Sequence, residues 1–211
     1  MRREYNKSVH PEPTPIPDGC IFYAPLDFGD LSDHVSGSVG LVGNGQFSWN
    51  ETMQAYMIKT TTGGQKCLKY NIQNRFNLSP NYNYSYYAEL YVESFTGTCD
   101  FLSLGSGTSD RYNAVSLAET HRWNSFTTGK WNKMALTKSG SNITFYMNGA
   151  VNKTSTTSTY AALNASSWLS WGDCKSVFVI GGGYGSYKYV AYIRNIMFFD
   201  RVLTDQEIAQ L

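Results

Sequence analysis

The feature that most constrains the fold of this chain is KWNKMALTKSGSNITFYMNG at 130–149, in which apolar and polar residues alternate before and after a turn. Met134 and Leu136 alternate with polar or small neighbours, and Ile143 and Phe145 share one face of the return segment, as the period of a strand requires. The closing Asn-Gly dipeptide favours a second tight turn, because both residues tolerate positive φ. The stretch therefore predicts a β-hairpin.

Short runs of β type recur along the chain and are separated by Gly, Asn and Ser. They predict strands at 20–26, 64–72, 84–94, 99–107, 112–119, 176–182 and 189–200. The last run is apolar on both faces, which predicts a central strand that is covered on both sides. Its two predicted faces are Val190, Tyr192, Ile196 and Phe198, and Ala191, Ile193, Met197 and Phe199. A helix is predicted at 204–211, where Thr204 and Glu207 match a capping box.

The composition excludes several classes of protein. The net charge is +1 with scattered cations, whereas nucleic-acid binding needs clustered cations that release counterions. We expect no membrane insertion, because no run of about 18 apolar residues occurs. The four cysteines have no C-x-x-C spacing, which argues against zinc and favours their interpretation as small buried hydrophobic residues.

The first 19 residues differ from the rest and predict an extended N-terminal arm, followed by one domain at 20–211. Prolines alternate with other residues in PEPTPIP, which favours a stiff, polyproline-like rod. No apolar stretch of a secretory signal follows the first residues, so any signal was trimmed or never used. The arm is expected to anchor the domain to other structural proteins through residues 1–17. The candidate anchoring residues are Tyr5, Pro11, Pro13, Pro15, Ile16 and Pro17.

The motifs at both ends resemble those of laminin-G-like domains in the concanavalin A-like superfamily. The hairpin resembles that family's W-x-H-V-A-L-T…L-Y-V-N-G hairpin. YIRNIMFFDRVLTDQEIAQL at 192–211 is similar to its closing strand and helix, and CIFYAPLD at 20–27 looks like its opening strand. The resemblance implies an all-β fold, an antiparallel β-sandwich of the concanavalin A-like jelly-roll type with a short C-terminal helix. It also implies two sheets of six or seven strands, paired first and last strands, and architectural roles for Trp131, Asn148 and Gly149.

The resemblance also raises the question of calcium, since many relatives carry acidic residues in the closing strand that help to bind it. Here those positions are Arg194 and Asn195, and a cation would be opposed by Arg194. No cofactor is therefore expected. Asp27, Asp30 and Asp33 remain candidate calcium ligands, because calcium needs several oxygen donors. The alternative is that they form Asx turns.

Catalysis by this superfamily uses paired strand carboxylates, and the sequence does not predict such a pair. Glycoside hydrolysis needs two carboxyl groups about 5.5 Å apart, or about 6.5–9.5 Å apart for inversion. Glu89 and Glu93 share a face, but four residues of a strand separate them by about 13 Å. Asp100 or Glu119 would have to come from a neighbouring strand. Solvated carboxylates are the preferred interpretation, and the protein is predicted not to be an enzyme.

The resemblance implies recognition of glycans or protein surfaces, and two aromatic clusters are candidates for it. Sugar recognition uses aromatic faces together with amide and guanidinium donors, and loops on a rigid sandwich often carry such sites. The glycan-binding candidates are Arg111, Tyr112, Arg122, Trp123, Trp171, Tyr184 and Tyr187.

These observations lead to three functional hypotheses. The first is a non-enzymatic structural or adhesion protein on the surface of a virion, with a bacteriophage as the preferred virus. Its N-terminal arm would anchor it to the particle, and its domain would bind host glycans. The second is a secreted or cell-surface carbohydrate-binding protein of a bacterium. The third is a glycoside hydrolase of the concanavalin A-like superfamily. The expected partners are glycans or a cell-surface receptor, and the oligomeric state is left open.

Overall fold

The structure is a computed structural model that describes most of the chain. The described residues are 15–61, 66–71, 83–96, 99–105, 116–117, 127–156, 177–182 and 188–211. Within them lie thirteen strands and one helix. The strands are β1 (Cys20–Ala24), β2 (Leu41–Val42), β3 (Gln46–Asn50), β4 (Ala55–Thr60), β5 (Lys66–Asn71), β6 (Tyr84–Thr96), β7 (Cys99–Gly105), β8 (Ser116–Leu117), β9 (Trp131–Ser139), β10 (Asn142–Met147), β11 (Ala150–Thr156), β12 (Val177–Gly182) and β13 (Lys188–Phe199), and the helix α1 is Asp205–Gln210.

The described strands form two antiparallel sheets. The larger sheet has the order β11-β10-β9-β6-β13-β4-β3, and β1 joins it by pairing with the C-terminal part of β13. The smaller sheet has the order β2-β5-β12-β7-β8. Strand β13 is central, with β6 on one side and both β4 and β1 on the other. The predicted central closing strand and its pairing with the first strand are confirmed.

The main core lies between the two sheets. Ile58, Leu90 and Leu136 are fully or almost fully buried on the inner face of the larger sheet. Tyr70 of the smaller sheet packs edge-on against Phe22, with ring centroids 5.0 Å apart. Burial of these large side chains is the main favourable contribution to folding, at about 25 cal/mol per Å² of apolar surface. The predicted antiparallel β-sandwich is confirmed.

The hairpin that dominates the sequence forms as predicted. Leu136 on β9 lies opposite Phe145 on β10, and both side chains are buried in the main core. Asn148 and Gly149 have φ of 53° and 81° in the turn to β11, the left-handed region that this dipeptide tolerates. The capping box of α1 is also present, between Thr204 and Glu207.

Three features of the sheets differ from the expectation. The described sheets have eight and five strands rather than six or seven each. Strands β2, β3, β4 and β11 were not predicted, although β4 is a direct neighbour of the central strand. Polar residues fall on both faces of β4 (AYMIKT) and β2 has only two residues, so the alternation that signals a half-buried strand is weak there. Strand β3 (QFSWN) does alternate and was missed.

The third difference is a β-bulge in β13, which makes the predicted assignment of its faces wrong. The register with β6 shifts between Arg194 and Met197, and a shift of one residue moves following side chains to the opposite face. Ile193 therefore shares the inner core with Ile196, while Met197 points to the outer face.

The described end of the predicted arm is fixed to the body by Arg201. The Arg201 guanidinium donates to the main-chain oxygen of Asp18 at 2.9 Å and to Glu207 at 2.6 Å. A Cβ at Gly19, which has φ of 72°, would lie 2.7 Å from Arg201 Nε, so this close approach requires glycine. Ile16 is 44% exposed. Residues 1–14 lie outside the described residues, and the anchoring role of 1–17 stays a prediction.

The two cysteines whose side chains are described are free thiols. Cys67 is completely buried, and burial raises its pKa to about 12. Burial also raises the pKa of the half-buried Cys20, to about 11. Both thiols therefore behave as small hydrophobic groups at neutral pH, as the sequence suggested. Among the described residues, no helix is long and apolar enough to cross a membrane.

Candidate binding site

The outer face of the larger sheet is divided into two halves, and helix α1 covers one of them. In this covered half, Ile208 of α1 and Leu203 pack on outward-facing side chains of the sheet. The Tyr146 hydroxyl donates to Asp205 of the helix at 2.8 Å. The sheet residues of the covered half are Tyr23, Tyr87, Ala135, Tyr146, Met197 and Phe199. The helix therefore closes a second, smaller core.

The other half of the outer face, which we name the open half, carries a row of aromatic side chains across three adjacent strands. In the register of the sheet, Tyr91 of β6 lies opposite both Trp131 of β9 and Tyr192 of β13. The ring of Tyr91 meets those of Trp131 and Tyr192 edge to face, with centroids 6.0 Å and 5.8 Å apart. All three side chains are only partly buried. Met57 of β4 extends this aromatic row by one strand.

An ion pair lies between the two halves. Arg194 Nε donates to Glu89 Oε2 at 2.8 Å, and the guanidinium lies over the Trp131 ring, 4.3 Å from its centroid. The other Glu89 oxygen accepts from Asn195 Nδ2 at 2.9 Å and from the Tyr87 hydroxyl at 3.2 Å. The Glu89 side chain is 11% exposed and that of Arg194 is 34% exposed. The carboxylate is thus an internal support, and the guanidinium reaches the surface.

The bulge in β13 explains why two successive residues can reach the same carboxylate. Asn195 has φ of 51°, in the left-handed region where Asn is enriched among non-glycine residues. Its amide N–H donates to the Pro25 oxygen at 3.0 Å, which fixes the bulge against the segment after β1. The side chains of Arg194 and Asn195 then both point to Glu89.

The opposite side of the aromatic row carries a carboxylate instead of a guanidinium. Glu93 is exposed and accepts a hydrogen bond from the Tyr192 hydroxyl at 3.4 Å. Burial and the negative charge of Glu93 raise the pKa of Tyr192. A shallow cavity of about 180 Å³ lies at the same end of the strands, where Lys59, Ser94 and Val190 contribute to its lining. The aromatic row therefore lies between the Arg194 guanidinium on one side and the Glu93 carboxylate, with Lys59 nearby, on the other.

The sequence-based glycan-binding candidates are not part of this arrangement. They lie outside the described residues, so their role stays a prediction: Arg111, Tyr112, Arg122, Trp123, Trp171, Tyr184 and Tyr187. Of the anchoring candidates, Tyr5, Pro11 and Pro13 also lie outside the described residues, while Pro15 and Ile16 are exposed and Pro17 is half-buried.

Two of the three aspartates proposed as calcium ligands, Asp30 and Asp33, accept hydrogen bonds in the turns that follow β1. Asp33 is completely buried and accepts from the Tyr23 amide at 2.9 Å and from Ser36 Oγ at 2.5 Å. Asp30 accepts from the Ser32 amide at 2.8 Å and from His34 Nε2 at 2.8 Å. Although its burial raises the pKa of Asp30, the hydrogen bonds of His34 and Ser32 lower it below its usual range overall. Asp27 is exposed.

These contacts match the Asx-turn interpretation of Asp30 and Asp33. In the part of the chain that the structure describes, no group of three or more His, Cys, Asp or Glu side chains could hold a metal ion. A calcium site stays a prediction that only binding measurements can test.

The interpretation of Glu89 as a solvated carboxylate is wrong, because both of its oxygens are engaged by protein donors. Trp131 was predicted to be architectural, and Tyr91 and Tyr192 were not among the predicted binding residues. An outward-facing aromatic residue between two acidic residues on the same face, as in ELYVE at 89–93, was the available signal. It was ambiguous because aromatic residues also fill cores.

The open half can bind a polar ligand that also has apolar faces. Its rings offer apolar contact surfaces, the guanidinium is a fixed donor, and Glu93 is an exposed acceptor. The antiparallel sandwich that carries it is of the lectin-like, jelly-roll class. The profile of the concanavalin A-like lectin/glucanase superfamily matches residues 63–209, and the chain belongs to that superfamily.

Solved structures with the same fold include recognition domains and enzymes. The binding domain of botulinum neurotoxin DC, solved with rat synaptotagmin II, shares 13% identity with a TM-score of 0.63, over 92% of this chain and 51% of that one. Domain 4 of AbnA, an arabinanase from Geobacillus stearothermophilus, was solved with arabinotriose. It shares 15% identity with a TM-score of 0.60, over 90% of this chain and 97% of that one.

Trypanosoma rangeli sialidase is similar over 92% of this chain and 33% of its own, with 16% identity and a TM-score of 0.60. The chain thus spans about half the length of the neurotoxin domains and a third of the sialidase. A search of curated protein sequences finds no match. At these identities the likeness concerns the fold alone.

Proposed function

We propose that the protein is a non-catalytic recognition domain that binds a saccharide on the open half of the outer face. The observation that carries this proposal is the aromatic row of Trp131, Tyr91 and Tyr192, which lies beside a supported guanidinium. Rows of rings suit saccharides, because each sugar ring has apolar C–H faces and a polar rim. The row from Met57 to Trp131 crosses four strands, about 14 Å at the usual strand spacing, which suits a short oligosaccharide.

The relatives of known structure agree with this class of function. Domain 4 of AbnA was solved with arabinotriose, and the neurotoxin domain with a protein receptor. A saccharide is the preferred ligand here, since the aromatic row is interleaved with charged and hydroxyl groups rather than with aliphatic side chains. We also propose that the protein acts at an extracellular or particle surface.

Binding assays with Trp131→Ala test this proposal directly. A glycan array identifies a bound saccharide, and titration calorimetry then compares the variants. Because truncated aromatic residues at the centre of binding sites cost about 2 kcal/mol or more, we expect the affinity of Trp131→Ala to fall about 30-fold.

The matched control is Phe28→Ala. Phe28 is 50% exposed and packs against Trp49 in a loop away from the open half, so its removal should leave the affinity unchanged. If Trp131→Ala binds as well as the unmodified protein, or if the array shows no bound saccharide, the proposal fails.

The finer part of the proposal is that the domain belongs to a virus particle, held there by residues 1–17. What supports it is the exposed Pro15-Ile16 segment, which precedes the point where Arg201 fixes the chain and leaves apolar surface for a partner. Mass spectrometry of purified particles tests the location. Deletion of 1–17 should prevent incorporation and leave a folded domain; normal incorporation of the truncated chain contradicts the anchoring role.

Hydrolysis is the competing function, and the geometry favours it less. Glu89 is engaged by three donors, one of them a guanidinium, so it lacks the free oxygen that a nucleophile or a general base needs. Glu93 lies about 13 Å further along the strand, beyond the separation of glycosidase carboxyl groups. Reducing-sugar release from a polysaccharide panel would reveal turnover.

A further inference from the structure

The guanidinium of Arg194 is fixed in place, and most of its N–H donors are not used by the hydrogen bond to Glu89. A guanidinium has five N–H groups, and Glu89 Oε2 uses the one on Nε. In the part of the chain that the structure describes, neither Nη atom has a protein acceptor, and the side chain is 34% exposed. Four N–H groups are therefore available at the surface, where the guanidinium lies over the Trp131 ring.

The support beneath this guanidinium is unusually complete for a surface side chain. Glu89 accepts a hydrogen bond from the guanidinium, and Asn195 and Tyr87 donate to the other oxygen of Glu89. The guanidinium also lies over the Trp131 ring, and this cation–π contact further restricts its orientation. An arginine that is already ordered loses little entropy on binding, and its planar fork matches the two oxygens of a carboxylate.

The charges around the aromatic row are asymmetric. On the Arg194 side, Lys133 lies opposite Glu89 in the register, and its Nζ donates to the main-chain oxygen of Leu211 at 2.8 Å. The two cations exceed the single carboxylate on this side by one charge. On the other side, Glu93 is exposed and suits the hydroxyl groups of a ligand. Although Lys59 and Lys188 line the cavity at that end, the supported guanidinium of Arg194 is the donor whose planar shape suits an anionic group.

From this arrangement we propose that the saccharide bound by the open half is acidic, and that Arg194 binds its carboxylate through the two Nη atoms. The inference rests on the proposed function and specifies its ligand class as uronic or other carboxylated sugars. Trp131 would contact the ring of the sugar that bears the carboxylate, and Glu93 would accept from hydroxyl groups further along. Glu89 is then a positioning residue.

Matched saccharides that differ in a carboxylate test the inference on the unmodified protein. Three pairs serve as probes: tri-galacturonic acid and its methyl ester, a hyaluronan tetrasaccharide and its methyl ester, and 3′-sialyllactose and lactose. Because a bidentate, charge-assisted pair is among the strongest polar contacts, the acid of at least one pair should bind about tenfold or more tightly than its neutral partner.

Arg194→Lys locates the effect. It keeps the charge and loses the planar fork, so the ratio of acid to neutral affinity should fall from about tenfold or more to about threefold or less. Lys69→Gln removes one cation from β5, on the other sheet, and is the control for long-range attraction. If it lowers acid binding as much as Arg194→Lys does, the preference is not due to Arg194 and the inference is overturned.

The remaining outcomes separate the two proposals. Equal binding of acid and neutral partners in all pairs overturns the acidic class, and the proposed function survives if Trp131→Ala still lowers the affinity for a neutral saccharide about 30-fold. Binding of no saccharide, acidic or neutral, removes both. Acid preference that Arg194→Lys leaves intact overturns the assignment of the carboxylate site.

Discussion

Strands β6, β9 and β13 each supply side chains to both the covered half and the open half of the outer face. In the covered half these are Tyr87, Ala135 and Phe199, which pack beneath α1. In the open half they are Tyr91, Trp131 and Tyr192, which are only partly buried. The strands are the same, and the difference lies in what is packed above them.

This contrast separates two uses of aromatic residues that have the same period in the sequence. Where the helix lies above, an outward aromatic side chain contributes to stability by leaving water. Where no described element covers the sheet, the same kind of side chain gains little for folding, so its presence requires another reason. In our proposal that reason is binding. Truncation of a side chain should therefore lower mainly the stability in the covered half and mainly the affinity in the open half.

The largest expected effect is the loss of stability in the covered half. Phe199 is completely buried, so Phe199→Ala should lower the free energy of unfolding by about 3–5 kcal/mol, because it leaves a cavity. Trp131→Ala should lower it by about 1 kcal/mol or less, since the ring is already in contact with water. Urea unfolding followed by tryptophan fluorescence and circular dichroism measures both. Equal losses would remove the distinction between the halves.

A smaller effect is expected at the ion pair between the halves. Glu89→Ala leaves Arg194 and Asn195 without their acceptor, and removal of a hydrogen-bonded partner costs about 1–3 kcal/mol. Removal of both members in Glu89→Ala/Arg194→Met should recover part of this loss, because no unpaired charge remains. A double-mutant cycle in urea gives the coupling free energy. Strictly additive losses would show that the pair is not coupled.

How far the sequence predicts this molecule depends on whether the contacts are local. The hairpin around Asn148-Gly149 and the capping box of α1 follow from neighbouring residues, and the structure has both. The pairing of β1 with β13 is long-range, and it was available only through the resemblance to a family.

The bulge after Arg194 could not be predicted from the sequence. Because the bulge brings Arg194 and Asn195 to Glu89, this part of the candidate site was missed as well. It depends on a hydrogen bond from Asn195 to Pro25, two residues that are far apart in the chain. Without the bulge, the alternation assigns Ile196 to the face opposite that of Ile193, and both are in the same core. The same long-range contact directs two side chains to Glu89, which the sequence alone presented as an isolated, solvated carboxylate.

The smallest expected effect concerns the attachment of the covering helix. Hydrogen bonds from Arg201 and Thr204 lower the pKa of Glu207 from 4.5 to about 2. A lowered pKa stabilises the fold at pH values above the ordinary pKa, and this contribution is lost as the pH falls from about 4.5 towards 2. Because the Glu207 side chain is 37% exposed, solvent screening should keep the effect below about 1 kcal/mol.

Glu207→Gln measures this contribution. The difference in unfolding free energy between the unmodified protein and the variant should be largest near pH 6 and should shrink as the pH falls below 4.5. Glu51→Gln, at an exposed position in the turn before β4, is the control and should show a smaller difference at every pH. A Glu207→Gln difference that grows on acidification has the opposite sign to the linkage argued here. It would mean that the Arg201 contact does not hold the helix over the covered half.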